Sequence, residues 1–516
     1  MLSISPVPTV PLRHPWRTTI AVGRAFDLTR EDLREHLRFL QRTIGYRYCR
    51  FHAVFDDEMA VVRSDGRGGI SYQWHHVDQV YDALLAMGLK PFVELNPMPA
   101  LLASGTQTMF AFKMNVTPPK DWLQWRALVT AFTAHLVERY GLDEVASWYF
   151  EVWNEPNLAG FWSGTLDDYF RLYDESAVAV KSVSPRLRIG GPATSKANWI
   201  SEMIDHCAAN KVPLDFISTH LYPQDEYVVY HDRAGSPHAP GMFFRDTVRQ
   251  THDLVRASAM PDVPIHWTEW NAMSCASTKD ISWGDNPTND QVHGAAFVAR
   301  TCADLDTAAD SLCWWVASDI FAEGGIASST FSMTYGMLTI HGIPKASYHA
   351  FRFLRDLTGD QLPLTITNAP VAAGALITVS GTQVRGLLWN QRLLEDASPA
   401  TWLETLRIPV RTPGAYEVLT ARVKPGAGSC YETWLDMGRP HNLSASEEAL
   451  LRAHATPEWR HQRITATADH VVWNERLEPG EILFVEVRPV DGAALPRTVD
   501  ATSLAAWDVI MGAKSR

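Results

Sequence analysis

The sequence predicts an α/β fold, a (β/α)8 TIM barrel followed by a β-sandwich, and three observations carry that prediction. Over residues 16–358 short β-rich runs alternate eight times with amphipathic helical stretches, the pattern of a parallel sheet wrapped by helices. Beyond Gly359 the texture changes to short strand runs separated by turn residues. The chain also has 516 residues, more than one ordinary domain, so a large barrel plus a smaller accessory domain is the natural division. The expected domains are an N-terminal segment 1–15, a catalytic barrel 16–358, and a sandwich 359–516 with a helical insert.

The N-terminal segment is interrupted by Pro6, Pro8 and Pro11 and is expected to pack on the sandwich as an edge strand. Barrel strands are predicted at Thr18–Val22, Tyr46–Phe51, Lys90–Leu95, Ser147–Val152, Leu187–Gly190, Asp215–His220, Pro264–Glu269 and Ser311–Val316. The helices between and after them are predicted at Thr29–Thr43, Trp74–Met87, Pro119–Tyr140, Leu166–Val183, Ala197–Ala209, Phe243–Ala257, Asn289–Leu305 and Lys345–Leu357. Thr29 before Glu31 and Asp32 reads as an N-cap with first-turn acids, and Gly88 as a C-cap glycine. Sandwich strands are predicted at Leu362–Thr367, Ala375–Val379, Val384–Asn390, Leu403–Val410, Ala415–Thr420, His470–Asn474 and Ile482–Val487, with a helix at Ser444–Ala453.

Composition narrows the function. The net charge is −12, from 46 basic and 58 acidic residues, and no basic block or arginine-rich helix is present to neutralise a phosphate backbone, so nucleic acid is not an expected partner. No run approaches the ~18 apolar residues that span a bilayer. The start of the chain lacks a charged region followed by a sustained apolar stretch, so a cytoplasmic setting is expected. The six cysteines show no CxxC spacing, which favours free thiols over a disulfide framework or a zinc site. The absence of HExxH, Walker and strand-flanked GxGxxG motifs leads us to expect neither metal nor organic cofactor.

Two glutamates sit where barrel catalysts sit. Glu155, in Asn154-Glu155-Pro156, follows the fourth predicted strand, and Glu269 ends the seventh. A glutamate at a strand end is more often a surface ion-pair partner. Both of these, however, are wrapped in aromatic and amide residues, Trp153 and Asn154 at one, Trp267, Trp270 and Asn271 at the other, as suits a sugar-lined pocket. A pair of carboxyl groups flanking a glycosidic bond is what glycoside hydrolysis requires: one donates a proton to the leaving oxygen and one attacks the anomeric carbon or activates water. Arg50, His52, His220, Tyr222 and Glu323 also fall at strand ends or in the loops beyond, each with an ordinary reading as a structural hydrogen-bonding residue. Of the adjacent Trp314 and Trp315, one must face the core, because neighbouring strand residues point to opposite sides.

With these residues in place the chain resembles the retaining glycosidases of glycoside hydrolase family 39, the β-xylosidase and α-L-iduronidase family. The resemblance rests on Glu151 to Asn157, His266 to Asn271, Phe216 to Pro223, Trp315 to Glu323, and Gly342 to Lys345. It implies that Glu155 is the acid/base and Glu269 the nucleophile. It further implies that Asn154 binds the 2-hydroxyl, that Arg50 and Tyr222 orient Glu269, and that His52, His220, Trp315 and Glu323 line the first sugar subsite. Where family xylosidases carry a histidine-glycine-glycine turn this chain reads Phe331 to Gly336, so the sugar stays open among xylose, arabinose, galactose and iduronate, with exo or endo action. A glycoside or oligosaccharide is the expected partner, and a β-xylosidase the expected enzyme; a non-catalytic carbohydrate-binding barrel is the rival from another class. The segment Ala317–Ile343 contains no Lys or Arg, which disfavours a uronate, with Arg233 and Lys279 left as cations on other loops. The charge of Glu269 is expected to raise the pKa of Glu155.

Overall fold

A computed structural model describes residues 2–273 and 289–490, except 232, 326, 328, 333 and 394–397. Eight parallel strands close into a barrel: β1 (Thr19–Arg24), β2 (Tyr48–His52), β3 (Lys90–Leu95), β4 (Tyr149–Val152), β5 (Arg188–Thr194), β6 (Phe216–His220), β7 (Ile265–Trp270) and β8 (Ser311–Trp314). Closure is made where Trp314 of β8 pairs with Ile20 of β1. The covering helices are α1 (Glu31–Thr43), α2 (His75–Ala86), α3 (Trp122–Tyr140), α4 (Leu166–Val183), α5 (Ile200–Asn210), α6 (Phe243–Arg256), α7 (His293–Asp304) and α8 (Ala346–Asp356).

Alternation along the strands fills the barrel in layers. Tyr48, Phe92, Tyr149, Phe216 and His266 form the floor, with ring centroids 4.6–6.5 Å apart. Two residues further up β2, β3, β4 and β7 come Arg50, Glu94, Glu151 and Thr268, all buried. Strand spacing depends on Gly190: a Cβ there would lie 2.2 Å from the Phe216 carbonyl oxygen, so this glycine permits the close approach of β5 to β6 and is not a turn. The register between β6 and β7 shifts after Thr219, and that between β7 and β8 after Trp267. Such irregularities re-aim a side chain. Here they let Glu269 enter the lumen although its neighbour Thr268 also faces inward.

Thr29 does not cap α1. Its hydroxyl donates to the Phe26 carbonyl within a short 3-10 turn, and the helix begins at Glu31 after an extended Arg30. Gly88 does take a left-handed φ of 74° after α2.

The C-terminal strands are β9 (Ala373–Ser380), β10 (Gln383–Asn390), β11 (Trp402–Pro409), β12 (Gly414–Pro425), β13 (Glu458–Ala466), β14 (His470–Leu477) and β15 (Ile482–Pro489), with helix α9 (Ala445–His454) capped by a Ser444–Glu447 box. An antiparallel sheet ordered β9-β10-β15-β12, with β13 beside β12, faces the β11–β14 pair across a core that includes Leu388, Trp402, Leu406, Val418 and Val485. Leu2–Ile4 enters this core by pairing antiparallel with Leu364–Ile366. The other face of the large sheet, with Leu387, Trp389, Val423 and Phe484, packs on the barrel core, where Phe484 stacks on Phe353 of α8 at 5.1 Å. Among the described residues no helix is long and apolar enough to cross a membrane. Cys49, Cys207, Cys302, Cys313 and Cys430 are free and buried; Cys275 lies outside the described residues.

Candidate active site

The barrel mouth is organised by one buried cation. The Arg50 guanidinium, 0% exposed, donates from Nε to Glu151 Oε2 (2.7 Å), from Nη1 to Glu269 Oε1 (2.9 Å), and from Nη2 to Asn154 Oδ1 (3.0 Å) and Glu94 Oε2 (2.7 Å). Thr268 donates to the other oxygen of Glu151 at 2.8 Å. Glu151 is therefore held below the ordinary carboxylate range by Arg50 and its other partners, in spite of burial. Glu94 is pushed well above it, because burial outweighs Arg50.

Two buried histidines flank the glutamates. Burial lowers His52 and His220 to about 4, so both rings are neutral at pH 7. His52 Nδ1 lies 2.8 Å from Glu94, and His52 Nε2 faces Glu269 and Glu323, each 3.6 Å away. His220 Nε2 meets Arg50 Nη2, an obligate donor, at 3.4 Å, so the proton sits on Nδ1 and points to Glu155 Oε1 (3.0 Å) and Glu269 Oε2 (3.5 Å).

Glu269 accepts Arg50 on one oxygen and the Tyr222 hydroxyl, at 3.1 Å, on the other. Tyr222 is in turn held by Asp225, which accepts its backbone N–H at 2.8 Å. Glu155 stands opposite in a left-handed backbone conformation, φ 46°, with its N–H bonded to the Ala193 carbonyl at 2.8 Å. For a residue preceding proline this geometry is strained by roughly 1–3 kcal/mol, the kind of cost that concentrates at functional sites. Burial raises the Glu155 carboxyl above its ordinary value; Lys196, His52 and Arg50 oppose it. The direction matches expectation but the chief cause does not: Glu269 was expected to repel Glu155, and Arg50 instead offsets its charge.

One oxygen of Glu155, one of Glu269 and a ring nitrogen of His220 lie within 4.8 Å of one another, a donor set that could also ligate a metal ion. The guanidinium 2.9 Å from Glu269 disfavours a second cation there.

The remaining candidates converge on the same mouth. Trp315 lies against His52, ring centroids 4.6 Å apart, and its peptide bond to Val316 is cis, while Trp314 packs outward in the barrel core. Glu323 is 18% exposed along its side chain and shares its enclosure with Glu269, Glu155 and Glu94; burial and these charges push it well above the carboxylate range. Asn154 spends its oxygen on Arg50, and His220 sits between the two glutamates. Lys279 falls outside the described residues, as does the side chain of Arg233.

Glu94, Glu151, Asp225 and Phe110 escaped the sequence reading. Glu94 and Glu151 had a signal, a carboxylate in the inward phase of an otherwise apolar strand. Phe110 had none: it rides the tip of a small hairpin, Thr108–Met109 with Met114–Asn115, and stacks toward His52 at 6.4 Å. The adjacent Ala111 N–H bonds the Glu323 carbonyl at 2.8 Å, joining this tip to the loop after β8.

A (β/α)8 barrel whose mouth presents two facing carboxyl groups, after β4 and on β7, has the architecture of a glycoside hydrolase. The chain belongs to glycosyl hydrolases family 39, whose family model matches residues 5–471. It is similar to a β-xylosidase from Caldicellulosiruptor saccharolyticus (35% identical over 444 residues, 85% of this chain and 88% of that protein). It also resembles one from Geobacillus stearothermophilus (33% over 487 residues, 92% and 93%). Among solved structures, a monomeric β-xylosidase from Caulobacter crescentus superposes with a TM-score of 0.82 at 29% identity, covering 94% of this chain and 98% of that one.

Proposed function

We propose that the protein is a retaining exo-β-D-xylosidase in which Glu269 is the nucleophile and Glu155 the acid/base. One observation carries this reading: the facing oxygens of Glu155 and Glu269 lie within 4.8 Å, close to the about 5–5.5 Å of retaining enzymes and too close to seat an attacking water between them. Glu269 attacks the anomeric carbon, the bond from that carbon to the leaving oxygen breaks, and the Glu155 proton passes to that oxygen. Water, deprotonated by Glu155, then attacks the same carbon; the ester to Glu269 breaks and the sugar leaves with its original configuration.

The surroundings divide the labour. Arg50 and Tyr222 hold both oxygens of Glu269 as an anion aimed into the mouth, and the His220 Nδ1–H anchors one oxygen of Glu155, leaving the other for the acid proton. His52, Asn154, Trp315 and Glu323 form the first sugar subsite. The Phe110 tip, tied to Glu323, walls that subsite on its far side, which supports exo action on a chain end. A neutral sugar is favoured because Arg50 is saturated by Glu94, Glu151, Asn154 and Glu269, and Arg24, at the end of β1, is paired with Asp27 and Glu58.

A panel of nitrophenyl glycosides, followed by proton NMR of an early time course, tests the reading. Preference for the β-D-xyloside with first release of β-xylose is expected. First release of α-xylose would remove Glu269 from the nucleophile role, and preference for an iduronide would overturn the sugar.

A further inference from the structure

The first sugar subsite draws on β2 and the β8 loop, through His52, Trp315 and Glu323. A substrate bridging Glu269 and Glu155 must therefore send its leaving group the other way, over β5 and β6. The loop after β5 has an unusual backbone there. Lys196, Ala197 and Trp199, with Ala193 just before, are non-glycine residues at φ 65°, 53°, 59° and 53°. Left-handed conformations of this kind cost roughly 1–3 kcal/mol each and persist only where their surroundings impose them. The imposing contacts come from the catalytic loop: Asn157 Oδ1 accepts the Ser195 N–H at 2.9 Å and Asn157 Nδ2 donates to the Ser195 carbonyl at 3.0 Å.

This backbone places a half-buried ammonium beside the acid/base. Lys196 Nζ lies 3.3 Å from Ser195 Oγ, and both side chains are near enough to Glu155 to oppose the upward push of burial on its carboxyl. Among the described residues no carboxylate lies within ion-pair distance of Lys196. Its acidic neighbours, Glu155 and Asp225, are both raised by burial, Asp225 to about 7, and neutralise it poorly. A groove of about 420 Å³ lies along the same two loops, lined by Pro156, Asn157, Trp162 and Trp199.

We propose that Lys196 is the specificity residue of a leaving-group subsite that takes a carboxylate, so that the enzyme favours chains whose leaving portion bears a uronic acid. The proposal rests on the catalytic reading of Glu155 and concerns the opposite side of the scissile bond from the neutral first subsite. A half-buried ammonium with no carboxylate in ion-pair contact gains a charge-assisted bond from an arriving carboxylate. A neutral leaving group leaves it unmatched.

The test compares 3- and 4-carboxyphenyl β-D-xylosides with the corresponding carboxamides. Turnover of the amides checks the xyloside reading, while the acid-to-amide ratio of kcat/KM checks Lys196, so either can fail alone. In the wild type a ratio about tenfold above that of Lys196→Met is expected, with Lys196→Arg restoring most of it and 0.5 M salt reducing it. An equal ratio in wild type and Lys196→Met, or amides preferred by the wild type, would overturn the proposal. Using the ratio cancels any general loss in the variant.

Discussion

Arg50 shows how much of this site is built from residues that never touch the sugar. Its Nη1 holds Glu269, while burial pushes the flanking Glu94 well above the carboxylate range and lowers both histidines to about 4, so the electrostatics of the mouth are set before a substrate arrives. With the nucleophile so held, Glu269→Ala should abolish turnover of every glycoside with the fold kept by circular dichroism. Glu155→Ala should instead spare activated aryl xylosides, which need little proton donation, and azide should rescue it as the β-xylosyl azide; equal losses on activated and unactivated substrates would remove Glu155 from the acid role. Glu323 is the subtler case. Glu323→Ala should lower xyloside kcat/KM by about ten- to a hundredfold, the loss of a hydrogen bond of roughly 1.5–3 kcal/mol. Because burial and the neighbouring carboxylates push this carboxyl well above the ordinary range, Glu323→Gln should stay within a few-fold of wild type; a Gln variant as impaired as Ala would mean that the anion is the working form. Glu155 and Glu269 were legible in the sequence because aromatic and amide neighbours mark strand ends that carry chemistry. Glu94 and Glu151 were passed over because a glutamate within an apolar strand has meaning only once the strand's inward phase is known.

At the scale of elements the barrel was readable wherever apolar runs ended in polar residues, and misread where a local signal gave way to packing. The strand beginning at Leu187 was expected to stop at Gly190, yet β5 continues to Thr194, Gly190 serving close contact with β6 and Gly191 the approach of Tyr169 from α4. The exposed, polar β13 went unrecognised because no buried face gave it alternation. The loop after β8 depends on a buried triad in which Lys345 Nζ contacts Asp290 at 2.5 Å and Asp319 at 2.7 Å, Asp319 in turn accepting the Gly336 N–H. Lys345→Met strands two buried carboxyl groups and should cost about 3–5 kcal/mol, seen as a lowered urea midpoint together with a raised KM as Glu323 shifts. An unchanged midpoint would deny the triad this role. In the floor, His266 is held at about 4 by burial among aromatic rings. Its folded pKa is depressed below the unfolded 6.5, so between 6.5 and 4 the unfolded chain takes a proton that the folded one refuses. Wild type therefore loses stability as pH falls through that window, by about 1.4 kcal/mol per pH unit. His266→Gln removes this contribution while those of His52 and His220 remain, so the difference between their Tm values should move in the variant's favour from pH 7 to 4.5.

For the whole molecule, the large sheet of the sandwich is covered on both faces, by β11–β14 on one side and by the barrel's α7 and α8 on the other. Those helices follow β7 and β8, so the accessory module braces the half of the barrel that carries Glu269 and Trp315. Leu2, 1% exposed, is part of the same core, and Leu2→Ala should lower the stability of the whole chain by about 2–5 kcal/mol; a Tm equal to wild type would show that the N-terminal strand is dispensable. That strand also sets an order of events. Leu2–Ile4 is made well before its partner Leu364–Ile366, which follows about 360 residues later. At roughly 5–20 residues per second, the ribosome leaves the strand without its mate for on the order of 20–70 s. β1 likewise waits for β8 before the barrel can close. A nascent chain of this protein therefore carries two open sheet edges while the whole barrel is being made, and shielding them until their partners emerge falls to whatever meets the chain on the way out.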